Sequence, residues 1–380
     1  MAAMELQTQC VHAGGYRDEK TRGVISPIFP ATAYEYLDSD ARPYPRYFNT
    51  PNQQVLVQKL CALERGEDGV VFSSGMAAIS TTFLTLLQAG DHAVIQDDIY
   101  GGTRSFVTGR FPGLGIQYTL VGRDPAAIEA AIRPETRLVY VESPTNPTLQ
   151  IVDLRRVATL AKSRGIPSLI DNTFASPVNQ NPLALGIDVS LHSGTKYLGG
   201  HGDLSSGAVI TSRELAGRIR AAAAGLGGNL NAQSCYLLER SLKTLGLRVE
   251  RQTGNAGRIA AFLESQPRVK SVHYPGLRSH PGHEIAKGQM AGFGAMLSFE
   301  VDPRALSADA FMRALRLIRP AMSLGGVEST ICDPARTSHR EVPVEDRERL
   351  GISAGLLRLS VGVEHVEDLI ADLRQALAGH

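Results

Sequence analysis

The stretch that decides the fold reads Val189-Ser-Leu-His-Ser-Gly-Thr-Lys-Tyr-Leu-Gly-Gly-His-Gly-Asp203. It opens within a short apolar run, Ile187 to Leu191, and closes in glycine-rich turn material. Lys196 stands in its middle, flanked by Ser193, Thr195 and Tyr197. A lysine delivered by a buried strand is held near the interior, and an ammonium taken out of water tends to lose its proton. The neutral amine attacks carbonyl carbon and forms Schiff bases. The hydroxyls beside it suit an anionic neighbour such as a phosphate. Amine, anion site and aldehyde chemistry together point to pyridoxal phosphate (PLP). A strand-end lysine whose head group simply reaches water is the competing reading, because most lysines are solvated.

Upstream, Ser-Leu-Ile-Asp171 reads as a strand that delivers a carboxylate at its end, 25 positions before Lys196. Such an aspartate is either a solvated turn residue or the partner of a buried cation. The pyridine nitrogen of PLP needs that carboxylate to stay protonated. One crossing segment fits in the gap, so both side chains can reach one cleft. Further back, Gly69-Val-Val-Phe-Ser-Ser-Gly-Met-Ala-Ala-Ile-Ser reads as strand, turn and helix start. Backbone amides at Gly75 and Met76 would cradle an anion there, although a small-residue helix start that binds nothing is nearly as common.

Between these points strands alternate with helices. Helices are expected over 52–63, 104–111, 125–132 and 154–164, and strands near 116–121, 137–141 and 166–170. A further strand is expected to end at Tyr100. That alternation predicts an α/β fold: a mostly parallel sheet covered on both faces, with its site at the strand C-termini. Residues 1–48 read as an irregular, aromatic arm lying on another surface, most simply a second copy of the chain. Residues 49–245 form the large domain. Residues 246–380, where the alternation stops, form a smaller α+β domain with a helix expected over 308–318.

Composition sets the outer bounds. The chain has 380 residues, 43% hydrophobic and 20% charged, with Lys+Arg 39 against Asp+Glu 38. That balance argues against nucleic acid or an anionic membrane as the main partner. No run of about 18 apolar residues marks a membrane span, and the N-terminus lacks a signal-peptide pattern. Cys10, Cys61, Cys235 and Cys332 are scattered, without zinc or disulfide spacing, so no metal site is expected. They read as buried hydrophobes in a reducing compartment, with the cytoplasm as the expected location.

Taken together, several motifs resemble the cysteine/methionine-metabolism branch of fold-type-I PLP enzymes. They are Ser73-Ser-Gly-Met-Ala-Ala-Ile, Asp98-Ile-Tyr-Gly-Gly-Thr, Glu142-Ser-Pro-Thr-Asn-Pro-Thr, Asp171-Asn-Thr-Phe-Ala-Ser-Pro, His192-Ser-Gly-Thr-Lys-Tyr-Leu-Gly-Gly-His, Ser323-Leu-Gly-Gly-Val-Glu-Ser and Leu357-Arg-Leu-Ser-Val-Gly. So many motifs in order carry the resemblance over the whole length.

The resemblance implies that Lys196 binds PLP covalently and shuttles protons, and that Asp171 pairs with the ring nitrogen. It implies that Tyr100 stacks on the ring and protonates the leaving group, and that Asn146 lies near the 3-oxygen. Gly75, Met76, Ser193 and Thr195 would hold the phosphate. Tyr44 and Arg46 would complete that site in a neighbouring subunit of a tetramer of two dimers, with Tyr44 also near the substrate. Arg358 would clamp the substrate carboxylate and Ser323 would help to position it.

For the reaction, the resemblance implies γ-elimination on a small-molecule sulfur amino acid. Positions that carry charge in cystathionine γ-lyases are Pro43, Ser105 and Met322 here, so L-methionine, losing methanethiol, is the expected substrate. Gly202 agrees with methionine γ-lyases, whereas Gly102 stands where they commonly have a cysteine. Arg104 is the residue expected to swing in if charge is needed. Cystathionine γ-lyase or γ-synthase chemistry is the alternative. A catalytically silent binding protein on the same fold is the remote one.

Overall fold

The computed structural model describes residues 4–340 and 342–378. Seven strands form the larger sheet: β1 (Asp68–Phe72), β2 (His92–Gln96), β3 (Gln117–Val121), β4 (Thr136–Glu142), β5 (Ser168–Asp171), β6 (Val189–Ser193) and β7 (Gly207–Thr211). Their order is β1-β7-β6-β5-β4-β2-β3. The central strands are buried on both faces, β2 along its whole length, as strands sandwiched between helices must be. The sheet is the mostly parallel α/β layer expected of the fold.

β7 is the exception, running antiparallel to both neighbours. The connection from β6, residues 194–206, contains no helix to carry a parallel crossover, and without one the chain can only turn back. That short connection is the one bearing Lys196. The chain leaves β2 outward to β3, then returns past β2 to lay down β4, β5 and β6 in the other direction. The resulting switch point opens a crevice beyond the ends of β2 and β4.

The C-terminal part builds a second sheet from β8 (Val269–His273), β9 (Met296–Val301), β10 (Arg319–Pro320), β11 (Thr330–Cys332) and β12 (Leu356–Ser360), in the order β10-β11-β12-β9-β8. Arg358 lies on its central strand, opposite Cys332 on one side and Ser298 on the other. Helix Leu245–Glu264 leads into this part.

Two local expectations are corrected. The segment 1–48 is not wholly irregular, because Leu6–His12 is helical. The buried Lys59 ammonium donates to the carbonyls of Cys10 and Val11 at 3.0 and 3.3 Å and secures that helix end. The helix expected over 308–318 stops at Ala314. The carboxylate of Asp372 accepts the N–H groups of Arg316, Leu317 and Ile318 at 2.8–2.9 Å and draws them out of the helix. All four cysteines are buried and free. No helix among the described residues is long and apolar enough to cross a membrane.

Candidate active site

β5 and β6 are parallel neighbours, so Asp171 and Ser193 end at one edge of the sheet. The 194–206 connection turns over that edge, with the N–H of Gly200 donating to Lys196 O at 2.7 Å. A cavity of about 730 Å³ opens there, large enough for a cofactor with its substrate. Lys196, Asp171, Tyr100 and Asn146 line it. So do Gly75, Met76, Ser193 and Thr195 on one side and Ser323 and Arg358 on the other.

The Lys196 amine donates to Ser323 Oγ at 2.8 Å. Burial lowers its pKa, with the nearby Arg358 charge acting in the same sense and Asp171 opposing both. Arg358, 4% exposed, donates from Nη1 to Asn146 Oδ1 at 2.8 Å and from Nη2 to Ser323 O at 3.2 Å. Its Nε has no partner, and no carboxylate of the described residues pairs with it. A buried guanidinium left so is prepared for an anion. Ser323 joins the Lys196 amine and the Arg358 guanidinium from a left-handed backbone, φ 73°, a conformation that costs a non-glycine residue energy and clusters at functional sites.

Asp171 accepts from the N–H of Thr173 at 2.9 Å. Burial raises its pKa, and the bonds from Thr173 partly oppose that. It thus faces the cavity as a carboxylate that an incoming cationic N–H would stabilise. Ser74 caps helix Gly75–Leu86 by accepting from the N–H of Ala77 at 3.1 Å. The amides of Gly75 and Met76, first in that helix, are left on the cavity side without intrahelical partners. A side chain at position 75 would put its Cβ 2.9 Å from that of Ser193, so the cradle requires glycine.

Tyr100 precedes helix Gly101–Arg110. Its ring lies over Gly102, where a Cβ would sit 2.5 Å from ring Cε1. That close approach suits glycine at the position where methionine γ-lyases commonly have a cysteine.

Tyr44 and Arg46 are not among the residues lining this cavity. The Arg46 guanidinium donates to Ala224 O at 2.6 Å and lies 5.7 and 5.3 Å from the rings of Tyr44 and Tyr47. The arm beside them leaves Val24 97% and Leu37 73% exposed. Ser105 and Met322 line the cavity, and Pro43 does not. Arg104 does not supply charge to it. Asp97 and Asp346 hold its guanidinium at 3.4 and 2.8 Å, and Arg349 shares both partners.

Three charged lining residues escaped the sequence reading: Glu142, Arg336 and Arg340. Glu142 stood inside a quoted motif without a role. The two arginines stand four apart in Asp333-Pro-Ala-Arg-Thr-Ser-His-Arg, a charged loop signal that went unweighed.

An amine biased toward neutrality, a carboxylate without a cation, an amide cradle beside hydroxyls, and a flat aromatic ring match the aldehyde, ring nitrogen, phosphate and ring face of PLP. The comparisons with known proteins agree. The family model described as Cys/Met metabolism PLP-dependent enzyme matches residues 7–378. Cystathionine γ-lyase of Bacillus subtilis is 46% identical over 98% of this chain and 99% of its own. L-methionine γ-lyase of Fusobacterium nucleatum is 42% identical over 98% of each. The crystal structure of cystathionine γ-lyase from Lactobacillus plantarum complexed with L-serine superposes with a TM-score of 0.96 at 41% identity, covering 99% of both chains. The chain belongs to the Cys/Met metabolism family of PLP-dependent enzymes, with the fold-type-I architecture and relatives that are lyases.

Proposed function

We propose that the protein removes a thiol from the γ-carbon of an L-amino acid, giving 2-oxobutanoate and ammonia, with L-cystathionine as the preferred substrate. The observation that carries this choice is the cavity wall of Arg336, Thr337, Ser338, Arg340 and Val342, on which Arg340 stands beside Arg336, itself held by Asp309 and Asp333. The acidic residues lining the cavity, Glu142 and Asp171, lie at the sheet ends instead. The leaving thiol of cystathionine carries a second carboxylate, and a guanidinium offsets its desolvation. The relative from Bacillus subtilis, named for cystathionine, supports the same reading.

In this reading Arg358 binds the substrate α-carboxylate, using the Nε that has no partner in the protein. Lys196 takes the α-proton at Nζ, and Ser323 Oγ at 2.8 Å holds the amine in place. Bound PLP supplies the electron sink that makes that proton removable. Asp171 keeps the ring nitrogen protonated, while Gly75, Met76, Ser193 and Thr195 hold the phosphate. Asn146, which also braces Arg358, sits beside the 3-oxygen. Tyr100 covers the ring and delivers a proton to the departing sulfur. Tyr44 and Arg46 close the phosphate end from a second copy of the chain, within a tetramer of two such pairs.

L-Methionine is the second reading, favoured by the uncharged Ser105 and Met322 on the cavity wall. Release of 2-oxobutanoate from both substrates in parallel tests the choice. Arg340→Ala should lower kcat/KM for cystathionine by about tenfold, the worth of one charge-assisted bond, and leave methionine within about twofold. Faster turnover of methionine in the wild type would replace the first reading with the second. Pyruvate in place of 2-oxobutanoate would move the cleavage to the β-carbon.

A further inference from the structure

We propose that Glu142 is a positioning residue: its carboxylate clamps the main-chain N–H of Tyr100 and thereby sets the Tyr100 ring over the cofactor. The inference rests on the reading above that Tyr100 covers the PLP ring. Glu142 ends β4 and is 5% exposed. Both of its oxygens accept from the Tyr100 N–H at 2.9 Å. The Tyr140 hydroxyl donates to Oε1 at 3.1 Å, and the N–H of Glu142 donates to Gln96 Oε1 at 3.0 Å. These bonds tie the end of β4 to the turn that follows β2, across the switch point of the sheet. Tyr100 and Glu142 are 42 positions apart, so nothing local fixes their relation.

Tyr100 is the N-cap of a ten-residue helix, and its own side chain makes no capping bond. A carboxylate at that helix start is favoured by the dipole and satisfies the orphan donor. The clamp leaves the Tyr100 side chain free to lie over Gly102, facing the cavity.

The fold alone does not account for an acid at this position. Glu142 and Asp171 are register partners on adjacent parallel strands, which stand about 4.8 Å apart. Two carboxylates placed so repel each other. Burial and the Asp171 charge push the Glu142 carboxyl well above its usual range, against the bonds from Tyr100 and Tyr140. A strand end carrying such an opposed acid is accounted for by the donor it holds.

The test is a double-mutant cycle read by the PLP dissociation constant and by the visible circular dichroism of the bound cofactor. Glu142→Ala and Glu142→Asp should raise the dissociation constant about tenfold and weaken the dichroism, whereas Glu142→Gln, which keeps an oxygen acceptor, should stay within about threefold. In a Tyr100→Ala background, adding Glu142→Ala should change the constant by less than about twofold. Far-UV dichroism checks the fold, and if Glu142→Ala does not fold, the Asp and Gln variants decide. The inference is overturned if Glu142→Ala costs the same factor with and without Tyr100, or if Glu142→Asp equals the wild type. An unchanged constant and dichroism in Tyr100→Ala would instead overturn the reading beneath it.

Discussion

At the floor of the cavity, Lys196, Asp171 and Arg358 carry charge-bearing groups that no ion pair among the described residues neutralises. Around the rim, Arg104, Arg336 and Arg349 are all held by aspartates: Arg104 by Asp97 and Asp346, Arg336 by Asp309 at 2.6 Å, Arg349 by Asp346 at 3.1 Å. Asp171 comes from a strand end, Lys196 from the turn just past one and Arg358 from the centre of an antiparallel sheet. Rim residues stand on short helices. An unpaired buried charge costs stability, so its survival marks a place kept for a ligand. A paired, exposed charge such as Arg336 contributes about 0–1 kcal/mol, and all three rim arginines have their charge answered within the protein.

The sharpest way to break this contrast is Lys196→Ala. It should remove the imine absorbance of the bound cofactor and lower kcat by at least about 10³-fold, as expected for a lost proton-transfer group. A persisting imine band would mean that another lysine carries the cofactor and that the floor has been misread.

Acid stability tests two buried imidazoles, of which His339 feels the charge of Arg358. His339 and His280 are buried, and burial holds both imidazoles neutral, with pKa pushed down to about 4 from 6.5. For His339 the Arg358 charge acts in the same sense. An unfolded chain binds these protons below pH 6.5, whereas the folded chain resists them until about 4. Stability is therefore complete above 6.5 and falls with pH through that window, by about 3 kcal/mol for each histidine at its lower end. Urea midpoints at pH 7 and pH 5 should show this loss, and the double variant His280→Gln, His339→Gln should lose less between the two. Equal losses in the two proteins would place the acid sensitivity elsewhere.

Arg46→Ala gives the smallest expected effect and concerns the part of the rim assigned to a second copy. It should weaken PLP retention about tenfold, the worth of one charge-assisted contact. Mixing it with Lys196→Ala protein should restore part of the activity, because one site of the mixed pair is then intact. No recovery after verified subunit exchange would return Arg46 to its own chain, where it caps Ala224.

Much of the floor was legible in the sequence because its chemistry is local. A strand that ends in Asp171, a turn that carries Lys196 beyond Ser193, and a Ser-Ser-Gly-Met helix start each announce themselves within a dozen residues. Strand ends of a parallel sheet then converge by topology, so nearby motifs predict a shared cleft. The alternation that revealed the sheet is equally local, since each face of a strand or helix reports its own burial.

Only the tertiary structure decided the rest. Register placed Glu142 beside Asp171 and gave it the Tyr100 N–H. Docking of the C-terminal part trapped Arg104 against Asp346 and turned Arg336 and Arg340 toward the cavity. The short 194–206 connection reversed β7, Lys59 secured a helix in the N-terminal arm, and Asp372 ended another early. In each case a side chain meets a partner far along the chain, and the energy of that meeting is recorded in neither residue's own neighbourhood. The motifs therefore pointed to the family and to the groups proposed to meet the cofactor, whereas long-range packing determined which charged side chains line the cavity.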